Sequence, residues 1–463
     1  MTRLLAPLLL AGCATVGPDY RRPEVPLPAE YPSKTDAGGE VQADWWRLFN
    51  DPALDELVAA ARTHNADLRL AAARVQEAEA LAREARGAFL PEVNAGYSAT
   101  RNRVSSRTEP PPPATAGLER ESHTLSASTS FELDFWGRFA RANEAARASL
   151  LASRLSRDVV ALSLAGTTAQ AYFALRSLDA QIGVLENTIK LRRDSLAIAR
   201  ARADAGLASE LDVHQAQGAL SDALVQQREA RRSRSLVERQ LAQLSGRLDL
   251  KIIPGDLFTL PVPPLPPAGL PSTLLERRPD IRAAEETLIS ANAQIGVARA
   301  ALFPTISLTA ALGAQSAELS TLLSSGAGIW SIGVGVVAPI FDAGRRSARV
   351  DQAEARREQQ VANYQRSIET GFREVADALV NVEQTSGAEA ELTARLEAAR
   401  NALELSRIRY ESGYSPYLEV LDAQRTANDA ELAFVRNRQA RLAFSVDLMK
   451  ALGGGWTPQS ARR

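Results

Sequence analysis

Cysteine occurs once in the 463-residue chain, at Cys13, and methionine twice. A single thiol excludes an intramolecular disulfide and a zinc site built from paired cysteines. The three histidines, His64, His123 and His214, are far apart in sequence. No Walker loop, dinucleotide fingerprint, metal-ligand cluster or nucleophile elbow is present, so no catalytic, cofactor-binding or metal-binding residue is assigned. Lysine plus arginine number 54 against 55 acidic residues, a net charge of −1, which excludes the basic field of a nucleic-acid binder. Aromatics are only 5%. Proline, though it occurs 24 times, is missing from 114–253 and from 340–415. Those two spans lack the strongest helix breaker and are rich in Ala, Arg, Glu, Leu and Gln, which favours very long helices.

The N-terminus carries Arg3, an apolar run from Leu4 to Leu10, and then Ala11-Gly12-Cys13. This order is that of an export signal. Leu10-Ala11-Gly12-Cys13 resembles a bacterial lipobox, in which the cysteine receives lipid and becomes the first mature residue. Ala14 follows it, and not the aspartate that retains lipoproteins in the inner membrane, so the outer membrane is the expected destination.

The chain contains itself twice. Asp67 and Pro91 stand 24 residues apart, as do Asp280 and Pro304. Gly137-Arg138 matches Gly344-Arg345, and 202–216 matches 409–423 at an offset of 207. A unit near 200 residues is a duplicated domain and not a short-period solenoid. Between the copies lies 248–271, with seven prolines, which reads as an extended outer linker. Each copy predicts a helix, two strands, a very long helix, a turn and a second helix. The long helices are expected near 138–205 and 345–412, each about 100 Å at 1.5 Å per residue. In the last helix Leu432, Val435, Gln439, Leu442, Val446 and Met449 alternate spacings of three and four, a packing seam.

Four short stretches switch to a period of two. Val93, Ala95, Tyr97 and Ala99 alternate with Asn94, Gly96, Ser98 and Thr100. The same alternation runs through Leu125–Phe135, Ile306–Leu312 and Trp330–Val336. One set is apolar and the other small and polar, as in a strand with lipid on one side and water on the other. The charge-free span between Glu318 and Asp342 is read as such a strand, because Gly326, Gly328, Gly333, Gly335 and Pro339 break any helix. Val159–Leu175, also uncharged, is read as a buried stretch of long helix. In lipid every backbone group must be paired, so a sheet must close. Four strands are too few, since about eight is the practical minimum. Two chains would give a filled barrel, and three would give twelve strands around a lumen.

Further residues carry a family resemblance. These are Cys13 followed by Val16-Gly17-Pro18-Asp19-Tyr20, then Trp45-Trp46, the duplicated hairpins, Val420-Leu421-Asp422-Ala423-Gln424-Arg425, and Leu452-Gly453-Gly454-Gly455-Trp456. In that order, across nearly the whole chain, they resemble the TolC family, and more closely its OprM-like or NodT-like lipoprotein branch. The resemblance implies a mainly α protein with a membrane β-barrel. A homotrimer would build a twelve-stranded outer-membrane barrel continued by a long periplasmic α-helical barrel. It implies the passive exit duct of a tripartite efflux pump, working with a periplasmic adaptor and an inner-membrane resistance–nodulation–division pump. The only attached group implied is lipid on Cys13. The tips around Gly206 and Gly413 would dock the adaptor through Arg202, Gly206, Ser209, Val213 and Ala216, and through Arg409, Gly413, Val420 and Ala423. Pro416 stands where the pattern has a hydroxyl residue. Leu418, Asp422 and Arg425 share one helix face and would form the periplasmic gate. Two rivals are the channel of a type I secretion system and a periplasmic coiled-coil adaptor.

The expected layout is a signal peptide at 1–12, a lipidated extended segment at 13–51 and a first repeat at 52–247. That repeat has strands near 91–103 and 122–135 and its tip near 206. After the linker at 248–271 comes a second repeat at 272–456, with strands near 304–313 and 329–341 and its tip near 413. A tail at 457–463 ends the chain.

Overall fold

The computed structural model of the protein describes residues 15–26, 28, 31, 41–107, 117–264, 272 and 274–457. Cys13, Pro110 to Pro113, residues 265–271 of the linker and the end of the tail lie outside the described residues. The elements run α1 (Pro52–His64), α2 (Ala66–Gly87), β1 (Glu92–Arg103), β2 (Glu119–Leu133), α3 (Arg138–Asp204) and α4 (Glu210–Ser245). Then follow α5 (Leu274–Arg277), α6 (Pro279–Ala300), β3 (Thr305–Ser316), β4 (Gly328–Val337), α7 (Arg345–Glu411) and α8 (Tyr417–Ala451). The expected order is met in both copies. Both long helices have 67 residues, far beyond the dozen usual in globular domains.

The chain divides into two compact units. The first gathers residues 1–23, 76–152 and 284–363. Its strands form one antiparallel sheet in the order β1-β2-β3-β4. The two hairpins, some 170 residues apart in sequence, therefore pair with each other through β2 and β3. The register aligns Tyr97 with Leu125, Leu125 with Ala314, Leu312 with Trp330 and Ala310 with Ile332. Every apolar position of the alternation thus falls on one face. Serines, threonines and glycines fill the other, where Ser128 opposes Asn94 and Ala311, and Thr309 opposes Gly333. No part of this unit covers the apolar face of β4: Trp330, Ile332 and Val334 are 78%, 79% and 68% exposed.

Strand limits shift by a few residues from those expected. β2 stops at Leu133 because the Asp134 carboxylate accepts from Ala140 N at 2.9 Å and starts α3. Phe135 and Trp136 consequently lie in the turn, where Trp136 stacks on Phe303 at 4.6 Å. β4 ends at Val337, two residues before Pro339, which has no N–H for the ladder. β3 runs on to Ser316.

Residues 15–23 strap along α3 and α6. Val16 N donates to Trp136 O at 3.0 Å, and Asn292 donates to Pro18 O at 2.8 Å. Arg141 reaches Asp19 at 2.7 Å, and Arg22 grips Glu285 at 2.6 Å. A Cβ on Gly296 would meet Val16 O at 2.8 Å, so glycine permits this close approach.

The second unit holds residues 24–75, 153–283 and 364–463. Its largest core joins Trp45, Trp46 and Phe49 to Leu54 and Val58 of α1, Tyr172, Phe173 and Leu175 of α3, and Leu442, Val446 and Met449 of α8. The α8 seam is buried at Leu432, Val435, Leu442, Val446 and Met449. Likewise 159–175 is a mostly buried stretch of helix. The described part of the linker is anchored and not a free spacer. Leu257 and Leu260 enter the core, Arg176 donates to Ile253 O at 2.7 Å, and Arg234 donates to Ile252 O at 2.8 Å.

Candidate functional site

The two hairpin tips meet within the second unit. Each reverses through a glycine in the left-handed region, Gly206 at φ 73° and Gly413 at φ 80°. Such a backbone is cheap only for glycine. Both ends close with the same paired bonds. Gly206 N donates to Ala203 O and Leu207 N to Arg202 O, at 2.9 and 2.8 Å, while Gly413 N donates to Tyr410 O and Tyr414 N to Arg409 O, at 3.0 and 2.8 Å. This is the Schellman arrangement.

Beyond that frame the tips diverge. Ser209 caps α4 by accepting from Leu211 N at 3.1 Å. Pro416 occupies the same position before α8 and makes no side-chain cap. Arg202 crosses to the second hairpin, donating to Tyr410 O at 2.8 Å with its guanidinium 4.9 Å from the Tyr410 ring centre. Arg409 stays at home, paired with Glu419 at 2.8 Å in an exposed setting.

Behind the tips Tyr410 meets Tyr417 edge-on at 5.4 Å. Both join a core with Ile189, Leu196, Ala199, Ala216, Leu220 and Val420. Ala216 and Val420, expected among the docking positions, are thus packed inside. Val213 and Ala423 are half-buried, and Ser209, Gly206, Gly413 and Arg409 are exposed. Burial pushes the Tyr417 hydroxyl up to about 12, with Tyr410 adding to the shift and Arg192 opposing it. The same cause raises Tyr410 and lowers Arg192. Polar bonds tie the hairpins further along: Gln424 donates to Ser195 at 2.8 Å, and Thr188 to Asn428 at 3.0 Å.

A cleft of ≈ 360 Å³ opens between the tips, lined by Arg202, Asp212, Tyr410, Tyr414, Ser415 and neighbours. The Ser415 hydroxyl is buried there without a partner among the described residues. Leu418, Asp422 and Arg425 sit together on the exposed side of α8. Leu418 is 59% exposed, and Arg425 donates to Asp422 at 2.8 Å. Tyr410 and Tyr417 escaped the sequence reading. The available signal was that both tyrosines occur only in the second copy, where the first has Ala203 and Glu210.

Comparisons with known proteins agree over the whole length. The family model described as "Outer membrane efflux protein" matches residues 57–247 and 270–454, two matches in tandem. The chain is 38% identical to the toluene efflux pump outer membrane protein TtgF of Pseudomonas putida, covering 96% of this chain and 95% of that protein. It is 33% identical to the cation efflux system protein CusC of Escherichia coli, covering 97% of each. Among solved structures, the outer-membrane channel OprN superposes with a TM-score of 0.88 at 30% identity, over 96% of this chain and 100% of that one. The open-state MtrE outer membrane channel of Neisseria gonorrhoeae gives 0.85 at 32%, over 96% and 99%.

Proposed function

The chain belongs to the outer membrane efflux protein family, and from that premise we propose how it works. It is the outer-membrane channel of a tripartite efflux pump, a helical barrel joined to a β-barrel that reaches into the periplasm. Three copies assemble, each lending four strands and its long helices to one duct. The observation that carries this reading is the sheet. Its apolar face is uncovered, β1 and β4 are open edges, and four strands do not close. In lipid those edges must pair, so β4 of one copy meets β1 of the next.

Solutes move through the duct passively, driven by an inner-membrane pump of the resistance–nodulation–division class. A periplasmic adaptor docks on the tips at Arg202, Gly206, Ser209, Arg409 and Gly413, which lie at the accessible ends of the hairpins. Val213, Ala216, Val420 and Ala423 act behind them by holding the tip surface in shape. Cys13 carries the lipid anchor. At the periplasmic end, three Asp422 carboxylates converge with Leu418 and Arg425 to form the gate. The exposed Asp422–Arg425 pair supports this, because like charges brought together need a cation beside them.

Extraction from outer membranes in mild detergent should yield a particle with three times the mass of one chain. A monomer there would refute the assembly. In planar bilayers, reconstituted Asp422→Ala trimers should leak more ions than wild type. Unchanged conductance would remove Asp422 from the gate.

A further inference from the structure

In the first unit a groove of ≈ 650 Å³ runs between α6 and α7. Arg138, Arg346, Arg349 and Arg356 line it with four glutamines, a serine and a threonine, and no carboxylate. Arg138 is neutralised by Glu132 at 2.5 Å, and Arg346 lies 3.8 Å from Asp342. Arg349 and Arg356 are exposed, and among the described residues no carboxylate pairs with them. Spaced seven apart on α7, they share one stripe with Gln352 and Gln359.

Two observations say which way this groove opens. Glu132, which holds Arg138, stands opposite Ser307 on the small, polar face of the sheet. On α6 the groove is lined by Ser290, Gln294 and Ala298. The strap of residues 15–23 instead uses Glu285, Asn292 and Gly296. At about 100° per residue these two sets lie on opposite sides of the helix. The strap, which leads toward Cys13, and the groove therefore flank α6 from two sides, and the groove shares the water-facing side of the strands.

We propose that the Arg138–Arg346–Arg349–Arg356 groove is a binding zone for small anionic solutes, bearing carboxylate, phosphate or sulfonate groups, inside the duct. This rests on the duct reading above, which makes the polar sheet face the lumen. Arg349 and Arg356, which have no carboxylate partner among the described residues, raise the local concentration of anions. Guanidinium forks match carboxylate and phosphate oxygens in pairs. Three copies would line the duct with a belt of such grooves, and the glutamines offer neutral donors between the charges.

The test uses the full chain with Gln352→Cys, probed by sulfonatoethyl and trimethylammonioethyl methanethiosulfonate. The wild type serves as a blank for Cys13. Rates are normalised to those on a free small thiol. The anionic reagent should outpace the cationic one by about tenfold or more, the size expected of a focused potential. Adding Arg349→Gln and Arg356→Gln should bring the two rates near parity, and Arg349→Lys with Arg356→Lys should restore the bias. Equal normalised rates with both arginines present would overturn the anion site while leaving the duct intact. Labelling should also change the current through reconstituted channels. A charge bias without any change of current would place the groove off the pore and overturn its position inside the duct.

Discussion

The two hairpin tips match in sequence at an offset of 207, yet their side chains pack differently. In the first, Ser209 caps its own helix, and position 210 is an exposed glutamate. The second adds the aromatic pair to the shared interior, because Tyr417, the counterpart of Glu210, is fully buried against Tyr410. The matched arginines split the opposite way. Arg202 leaves its hairpin to bond the other, and Arg409 pairs within its own. The charged pair of the proposed gate belongs to one copy only, since Gln215 and Gly218 stand where the second has Asp422 and Arg425, whereas Leu211 matches Leu418. Duplication thus preserved the turn geometry, which depends on two glycines, and left the side chains free to diverge.

The sharpest break in that comparison is Tyr417→Ala. Emptying a buried aromatic site costs about 3–5 kcal/mol, so the melting temperature of purified protein, followed by circular dichroism, should drop clearly. Glu210→Ala should barely move it. Equal effects would show that the tips are equivalent after all. Next in size is Arg202→Ala. It removes a charged hydrogen bond to Tyr410 O, worth about 1.5–3 kcal/mol, and should expose the tips to limited proteolysis. Arg409→Ala should cost under about 1 kcal/mol, as exposed pairs do. Then comes the cap. Ser209→Ala should destabilise by about 1 kcal/mol, and Pro416→Ser should stabilise by a similar or smaller amount by giving α8 the missing cap.

The smallest effect is alkaline. The Tyr417 hydroxyl has its ordinary value of 10.0 pushed up to about 12 by burial. A raised value means the stability from burying the neutral phenol is whole below pH 10 and drains as pH climbs toward 12. Between those pH values, Tyr417→Phe should lose less melting temperature than wild type. Equal loss would mean that Tyr417 is not the group titrating.

The sheet and the tips differ in how openly the sequence declares them. Alternation through Val93–Ala99 and Trp330–Val336 marks which face is apolar, and the structure keeps those faces. Proline-free spans together with the tip glycines mark α3 and α7 to within a residue or two, because nothing forces a break until Gly206 and Gly413 turn left-handed, while Gly166, Gly183, Gly371 and Gly387 stay inside the helices. The linker's prolines mark it as extended, and nothing local reveals that Leu257 and Leu260 enter a core or that Arg176 and Arg234 hold its carbonyls. Ala216 and Val420 match the docking pattern by spacing and lie inside the packing, which spacing alone does not reveal.

Local chemistry alone determined the repeated order of elements, the period of each strand and the glycine reversals. These depend on neighbours within a few residues, so spacing carries them. Tertiary structure decided the pairing of β2 with β3, the reach of Arg202 across to Tyr410, the burial of Tyr417 and the gathering of four arginines in one groove. Each of these joins residues far apart in the chain, and only the packing of helices and strands brings them within bonding distance.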